Sequence, residues 1–481
     1  MDRMMMSVLF LIAVATQVFA QKAEVYTTSE GCPWVETHVK LTENVHNPIT
    51  DVIVFPDSLL QPVDGFGGTF SERGWDAMQV LSPAQRLSLM KEFFGAEGIH
   101  FAWGRTPVAG NDFSLSTYTY NDVPQDWTQR NFSIARDRYI LLPFIKLAKQ
   151  VRPDLKMWAS PWTPPYWMKL SEHYSEKSHG INGTDQAHNR LNPNYWVYPN
   201  VTAFKMTDGC LRSYAIYLSK YLQEYEREGV HIDILMPQNE VQWHPCWQSC
   251  TWRPEDFSIF IAQYLGPQLE KDSVKTDIWL GTINYPKPEW VFRFFENDKV
   301  MKYVKGIGMQ WTGMQAMPHV HAIMPNMPLM QTEGICGNGD NDWKDMEKSW
   351  ERMVHCFRSG ARSYMQWNLV LGDDLESLFE WKPNTLVIID RQTGHLTRTP
   401  EYYLMKHFSH FVGPGSVLLK SIGSDELLAF RTSEEQIVIV MYNSDEQPRD
   451  IHLAIGEKTM VLNLSGKTLS TIVYSFKERS C

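Results

Sequence analysis

The sequence predicts an α/β protein built as a (β/α)8 barrel with a flanking all-β sandwich. Three observations in the 481-residue chain carry this expectation. Eight short apolar segments of strand length recur through its middle, and helical patterns separate most of them. Beyond about Asp390 the pattern changes to short strands divided by turn residues. The length itself suits one large domain with a smaller partner.

The strand candidates lie at Phe66, His100–Arg105, Lys156–Ser160, His231–Gln238, Asp277–Thr282, Gly306–Trp311, Leu329–Thr332 and Ser363–Trp367. A helix after the first is announced by Ser82 as N-cap and Pro83 in the first turn; Leu87, Met90 and Phe94 share one face and Gly95 stops it. A second helix runs from about Asp208 to Glu228 on a stripe of Tyr214, Leu218, Tyr221 and Tyr225. A third starts at Trp343, turns Met346, Trp350, Met353 and Phe357 inward, and ends at Gly360. The polar, turn-rich stretch Leu170–Thr207 follows the third strand and reads as a surface excursion near the barrel mouth. A helix over Glu401–His410 leads into strands near Val417–Ser421, Leu427–Arg431, Gln436–Tyr442, Ile451–Ile455, Thr459–Leu464 and Thr471–Phe476. The strand-like run Val52–Phe55 suggests that the N-terminal segment completes the same sandwich. The expected organisation is a leader over residues 1–20, N-terminal strands over 21–60, the barrel over 61–395 and the C-terminal sandwich over 396–481.

A net charge of −10 gives no electrostatic footprint for nucleic acid or an anionic membrane. Arg3, the apolar run Met5–Ala15 and the site Val18-Phe19-Ala20 read as a cleavable export leader. No later segment has about 18 apolar residues in a row, the length a spanning helix needs. Sequons at Asn131, Asn182, Asn200 and Asn463 agree with a secreted or lysosome-like destination. The seven cysteines are odd in number, so one thiol is left over or pairs between chains. Cys246 and Cys250 are close enough for a local disulfide, the favoured reading in an exported chain. With His244 they also read as a metal cluster, but nothing nearby completes four ligands. No cofactor or metal is expected, and the oligomeric state is not set by the sequence. The 18 tryptophans suit a carbohydrate, because flat sugar faces stack on aromatic rings; a large aromatic core explains them equally well.

In a barrel of this kind function sits at the C-terminal ends of the strands. Glu240 ends the fourth strand in Met236-Pro-Gln-Asn-Glu240, and Glu333 ends the seventh in Met330-Gln-Thr-Glu333. Those strands lie roughly opposite across the mouth, so the two carboxylates can face each other across a sugar. Retaining hydrolysis needs such a pair about 5–5.5 Å apart. One attacks the anomeric carbon; the other protonates the leaving oxygen and later deprotonates water. A lone glutamate at a strand end is ordinarily a solvated charge, but two at these positions, one preceded by Asn239, make a far narrower pattern.

The chain resembles glycoside hydrolase family 30, the glucosylceramidase family, over nearly all of its length after the leader. The matching motifs occur in order: Gly65-Phe-Gly-Gly-Thr-Phe-Ser-Glu72, Asn111-Asp-Phe-Ser-Leu-Ser-Thr-Tyr-Thr-Tyr-Asn-Asp122, Ala159-Ser-Pro-Trp-Thr-Pro-Pro-Tyr-Trp167, Gln238-Asn-Glu240, Thr332-Glu333 and Trp367-Asn-Leu369. The resemblance implies a barrel with a flanking sandwich and retaining chemistry. It assigns acid/base to Glu240 and nucleophile to Glu333, with Asn239 bonding the sugar 2-OH. It also implies that Glu72 holds the far hydroxyls, that Trp162 and Trp367 wall the subsite, and that Arg105 supports the nucleophile. Gln310-Trp311-Thr312 stands where animal members have His-Trp-Tyr; Trp311 is expected beside the sugar and Gln310 in support. Two further departures are Val241 after the acid/base and the segment Gly372–Trp381 in place of a Gly-Gly loop.

The expected activity is hydrolysis of a β-linked glucosyl residue from glucosylceramide or a related β-glucoside. A β-1,6-glucanase and a β-xylosidase are the alternatives within the same chemistry. A carbohydrate-binding relative without catalysis fits less well, because both glutamates and Asn239 are present. The expected partner is a glycoside or glycolipid. A lipid aglycone predicts an exposed apolar rim, supplied by Trp243, Trp247 and Trp252, in contact with lipid surfaces; the same rings suit further sugar units.

Overall fold

The computed structural model describes residues 22–43, 50–179, 189–198, 200–334 and 336–475. Eight parallel strands close into a barrel: Gly65–Thr69, Trp103–Val108, Lys156–Pro161, Ile234–Leu235, Asp277–Ile283, Val304–Gln310, Leu329–Glu333 and Ala361–Gly372. They pair in chain order, and the eighth pairs with both the seventh and the first. The twelve-residue eighth strand outruns the barrel, and its far half takes on Thr385–Ile389 and then antiparallel Leu396–Arg398.

The fourth strand is the one shorter than its apolar run. Pro237 has no N–H for the ladder, so regular pairing stops at Leu235. The chain still tracks its neighbours, with Met236 N–H on Ala159 O at 2.9 Å and Asn239 N–H on Pro161 O at 2.7 Å. Strand six ends at Gln310, one residue early, because Trp311 turns into the left-handed region at φ 49°.

Layers inside the barrel sort by polarity. Trp103, Trp158, Ile234, Met236, Trp279, Met330 and Met365 fill the lower interior as one apolar cluster. Towards the C-terminal ends the buried side chains become Arg105, Ser160, Asn239, Thr282, Gln310 and Glu333. The Gly-rich first strand serves this packing: a Cβ on Gly67 would collide with the Trp103 carbonyl and the Met365 sulfur.

Helices form where the caps announced them. Ser82 and Gln85 make a reciprocal capping box on Pro83–Phe94. Asp208–Arg227 buries Tyr214, Leu218, Tyr221 and Tyr225, and Trp343–Arg358 buries Met346, Trp350, Met353 and Phe357. Leu170 N–H bonds Ala203 O at 2.8 Å and closes the base of the excursion, whose residues 180–188 and 199 lie outside the described set.

A second, ten-stranded sheet interleaves both ends of the chain. Lys22–Ser29 pairs with Thr468–Ser475, and Val52–Pro62 lies between Val417–Ile422 and Arg449–Ile455. Alternation along Gln436–Asn443 explains the layering. Ile437, Ile439 and Met441 enter the core between the sheet's own faces, whereas Val438, Val440 and Tyr442 enter the core shared with the barrel helices. Tyr442 there approaches Trp350 with ring centres 6.2 Å apart.

Two expectations about the fourth-strand loop are corrected. Cys246 and Cys250 are both buried free thiols; Cys250 packs into the main core and Cys246 into an aromatic cluster at the mouth, so their side chains diverge. No cluster of three or more His, Cys, Asp or Glu side chains suited to a metal occurs among the described residues. Trp252 is not a rim residue either: it stacks on Phe204 at 4.8 Å and is buried. No described helix is long and apolar enough to cross a membrane.

Candidate active site

Arg105 is the hub of the mouth. It comes from the second strand and is fully buried. Its guanidinium lies 4.6 Å from the ring centres of Trp158 and Trp162 and 5.1 Å from that of Trp367. One arm is ion-paired with Glu333. The other donates to Ser160 Oγ at 3.0 Å and Asn239 Oδ1 at 2.7 Å. A permanently charged group in such an interior needs its carboxylate partner.

Glu333 is aimed by a bulge. Met309 pairs with Gln331, but Gln310 pairs with Glu333, so strand seven carries one extra residue, Thr332. Thr332 and Glu333 both then meet Gln310: Thr332 Oγ1 donates to Gln310 Oε1 at 3.0 Å, and Gln310 Nε2 donates to Glu333 Oε2 at 3.2 Å. Trp311 Nε1 donates to the other carboxylate oxygen at 2.9 Å, and the Cys336 thiol, kept neutral by burial, lies 3.8 Å from that oxygen. Trp311, expected among the sugar contacts, is thus engaged with Glu333.

Glu240 stands in the left-handed region at φ 51°, an unusual backbone for a residue with a Cβ. Strand five holds it there: Glu240 N–H donates to Thr282 Oγ1 at 2.9 Å, and Asn284 Nδ2 donates to Glu240 Oε1 at 3.2 Å. The residue is half-buried by surface area, yet protein surrounds its carboxyl as densely as an interior group. Burial pushes its pKa well above the usual glutamate value, and the charges of Glu333 and Asp112 push the same way. Asn239 Oδ1 accepts from Arg105, from Thr282 Oγ1 at 3.1 Å and from Gln310 Nε2 at 3.3 Å. With its oxygen so saturated, Asn239 presents its amide nitrogen to the mouth.

Trp162 and Trp367 adjoin with ring centres 5.6 Å apart, and Gln238 Nε2 fixes the Trp162 carbonyl at 2.8 Å. Phe113 stands edge-on to Trp367 at 5.6 Å.

Glu72 is placed elsewhere, and the expectation for it is corrected. Both its oxygens accept from Arg136 at 2.6 Å, and Leu115 N–H adds a third bond at 2.7 Å. It also opens a helical turn, where a carboxylate suits the exposed N–H groups. The Glu72 side chain is fully buried, with three hydrogen bonds holding it away from solvent. The acid that joins the site is Asp112, which lies in the Asn111–Asp122 stretch but carries no local signal of such a role. Asp112 is buried, its Oδ1 has no partner, and burial, reinforced by the Glu333 charge, pushes its pKa to about 8. Thr282, Asn284 and Cys336 were also missed, because their residue types carry no spacing signal.

The sequence profile of the glycosyl hydrolase family 30 TIM-barrel domain matches residues 63–198 and 199–412. Putative glucosylceramidase 1 of Caenorhabditis elegans is 28% identical over 411 residues, covering 80% of this chain and 74% of that protein. The lysosomal acid glucosylceramidase of Mus musculus is 26% identical over 436 residues, covering 84% and 78%. The crystal structure of SrfJ from Salmonella typhimurium superposes with a TM-score of 0.83 at 24% identity, over 95% of this chain and 100% of that one, and shares the fold. With the barrel, the sheet and the profile in agreement, this chain belongs to glycosyl hydrolase family 30.

Proposed function

We propose that the protein is a retaining β-glucosidase acting on glucosylceramide or a related β-glucoside, with Glu333 as nucleophile and Glu240 as acid/base. One observation carries this: two carboxyls that face each other across the mouth have different surroundings. Burial and the neighbouring charge favour the protonated form of Glu240. Glu333 instead accepts from three donors, Arg105, Gln310 and Trp311, which hold its carboxyl in place. Different surroundings for two acids support different roles.

In the first step a Glu333 oxygen forms a bond to the anomeric carbon while the glycosidic bond breaks, and Glu240 gives its proton to the departing oxygen. In the second, Glu240 takes a proton from water, whose oxygen displaces Glu333 with a second inversion. The Asn239 amide donates to the 2-OH, and Asp112 takes the far-hydroxyl role expected of Glu72. Names of two relatives support a glucosylceramide substrate. Export to a secreted or lysosome-like compartment belongs to the same reading. It is supported by the leader pattern, which lies outside the described residues, and by the exposed sequon asparagines Asn131, Asn200 and Asn463.

The test is the first product anomer from an aryl β-glucoside, read by NMR; the β anomer is expected, and the α anomer excludes double displacement. Glu240→Gln should slow turnover about 10²–10⁴-fold, and added azide should restore the rate and yield β-glucosyl azide. Azide without effect would remove Glu240 from the acid/base role.

A further inference from the structure

We propose that the turn at Trp311–Thr312 braces both carboxyls: Trp311 grips Glu333 directly, and Thr312 grips Glu240 through Asn284, so that Thr312 and Asn284 are positioning residues for proton transfer to the leaving oxygen. This role rests on the glycosidase reading of Glu240 and Glu333. It gives a use to a departure which that reading leaves aside, the threonine at 312 where animal members have tyrosine.

Strand five supplies one half of the grip. Thr282 and Asn284 are two residues apart on extended chain, Asn284 coming just after the last strand residue, so their side chains leave on the same side. Both meet Glu240. Thr282 Oγ1 accepts its backbone N–H at 2.9 Å, and Asn284 Nδ2 donates to its Oε1 at 3.2 Å. In a neutral carboxyl the oxygen that accepts an amide N–H is the carbonyl oxygen, so the proton is left on Oε2. Rotation about the last bond of a glutamate side chain is loose, and the Asn284 contact restrains it.

Strand six supplies the other half. Trp311 opens a tight helical turn, Trp311–Ala316, in the left-handed region at φ 49°. This turn is pressed against the end of strand five, since a Cβ on Gly313 would collide with the Ile283 carbonyl. The close approach lets Thr312 Oγ1 donate to the Asn284 carbonyl at 2.5 Å. Trp311 Nε1, one residue back, donates to Glu333 Oε1 at 2.9 Å. Consecutive residues are thereby tied to the acids on the two sides of the mouth. A tyrosine at 312 cannot make the same bond, because its hydroxyl stands beyond a ring and does not return to a neighbouring backbone carbonyl. Thr312 is exposed, so its hydroxyl serves the turn and not the core.

Asn284 also biases the charge of Glu240. Burial and the charges of Glu333 and Asp112 favour the protonated form; Arg105 and the Asn284 amide favour the carboxylate. Removal of the amide therefore raises the pKa of this acid further.

The experiment compares kcat/KM on two glucosides. Octyl β-glucoside loses an alkoxide that must be protonated, whereas 2,4-dinitrophenyl β-glucoside loses a phenolate that leaves without a proton. On the octyl substrate Asn284→Ala should lose about 10–100-fold and Thr312→Val about tenfold. On the dinitrophenyl substrate both should lose no more than about threefold. In Asn284→Ala the alkaline limb of kcat/KM should move to higher pH. Thr312→Ser, which restores the hydroxyl, should recover the octyl rate lost in Thr312→Val. The double variant should lose no more than Asn284→Ala alone, because Thr312 acts through Asn284. Equal losses on both substrates, octyl hydrolysis undiminished in the folded variants, or additive losses in the double variant overturn the inference. Thr312→Val, at an exposed site, carries the test alone if Asn284→Ala does not fold. A parent that cleaves neither glucoside defeats the glycosidase reading beneath it.

Discussion

Two Arg–Glu pairs, one fully buried and one with its arginine partly exposed, differ in what surrounds them. In Arg136–Glu72 every carboxylate oxygen is matched locally: the guanidinium takes both, Leu115 N–H shares one, and Arg136 itself reaches Ser116 and the face of Tyr118. In Arg105–Glu333 the ion pair lies in a field that is not balanced. Glu240 and Asp112 share it, both pushed towards their protonated forms, and Arg105 Nε, Asp112 Oδ1 and Trp367 Nε1 are unpartnered. The first pair resembles a rivet that holds the loop after strand two. The second is a site with capacity left for another molecule. Satisfaction of the surrounding polar atoms, rather than burial of the acid, separates structure from function here.

Four substitutions test that contrast. Glu333→Gln keeps the shape but removes both the nucleophile and the charge partner of the buried Arg105; hydrolysis of an aryl β-glucoside should fall by about 10⁴-fold or more, and about 3–5 kcal/mol of stability should go with it. Arg105→Met leaves Glu333 buried without its charge partner, and about 3–5 kcal/mol of stability should be lost in a denaturant titration, together with activity. A stable, active Arg105→Met variant would show that the second pair is no hub.

Asp112→Asn should raise KM and lower kcat/KM by about 10–100-fold, the cost of an unmatched hydroxyl. Its effect on stability has the opposite sign. The Asp112 pKa of about 8 lies above its ordinary 3.8, so its contribution is fully present below about pH 4 and is lost as pH rises towards 8. Asparagine removes that loss, and the variant should gain about 1–3 kcal/mol at pH 7 and progressively less towards pH 4. Because the Asp112 charge also raises the Glu240 pKa, the alkaline limb of kcat/KM should move to lower pH in the variant. The smallest effect is expected of Glu72→Gln: about 2 kcal/mol less stable, since the exposed side of Arg136 softens the loss, with activity within about tenfold of the parent. A larger drop in activity than in stability would make the two pairs equivalent.

Much of the fold was legible because its signals are local. Ser82 with Gln85, and Gly95 behind them, bound a helix within a dozen residues. The eight barrel strands are short apolar runs set between helices; Glu333 ends one of them, and Glu240 lies in the loop that follows the fourth. What was not legible depends on partners far along the chain. Nothing near Glu72 announces that Arg136 will claim it, and nothing near Asp112 announces that it will be left unmatched. The Cys246 and Cys250 spacing suits a bridge, but the backbone between them sends one thiol to each of two cores. Trp252 was misplaced for the same reason, since its stacking partner Phe204 arrives from the preceding excursion. Trp311 illustrates a subtler limit, because a turn at one backbone angle redirects its indole onto Glu333.

The pairing of Lys22–Ser29 with Thr468–Ser475 has a consequence for the order of assembly. During synthesis the N-terminal strands leave the ribosome first but cannot complete their sheet until the last strand has emerged. The barrel is available to fold long before, with the flank later covered by Val438, Val440 and Tyr442 still bare. Contacts this distant in sequence are slow to close, and an apolar flank left open meanwhile invites association with other nascent chains. The strand Thr468–Ser475 therefore acts as a clasp, and completion of the second sheet waits on its emergence.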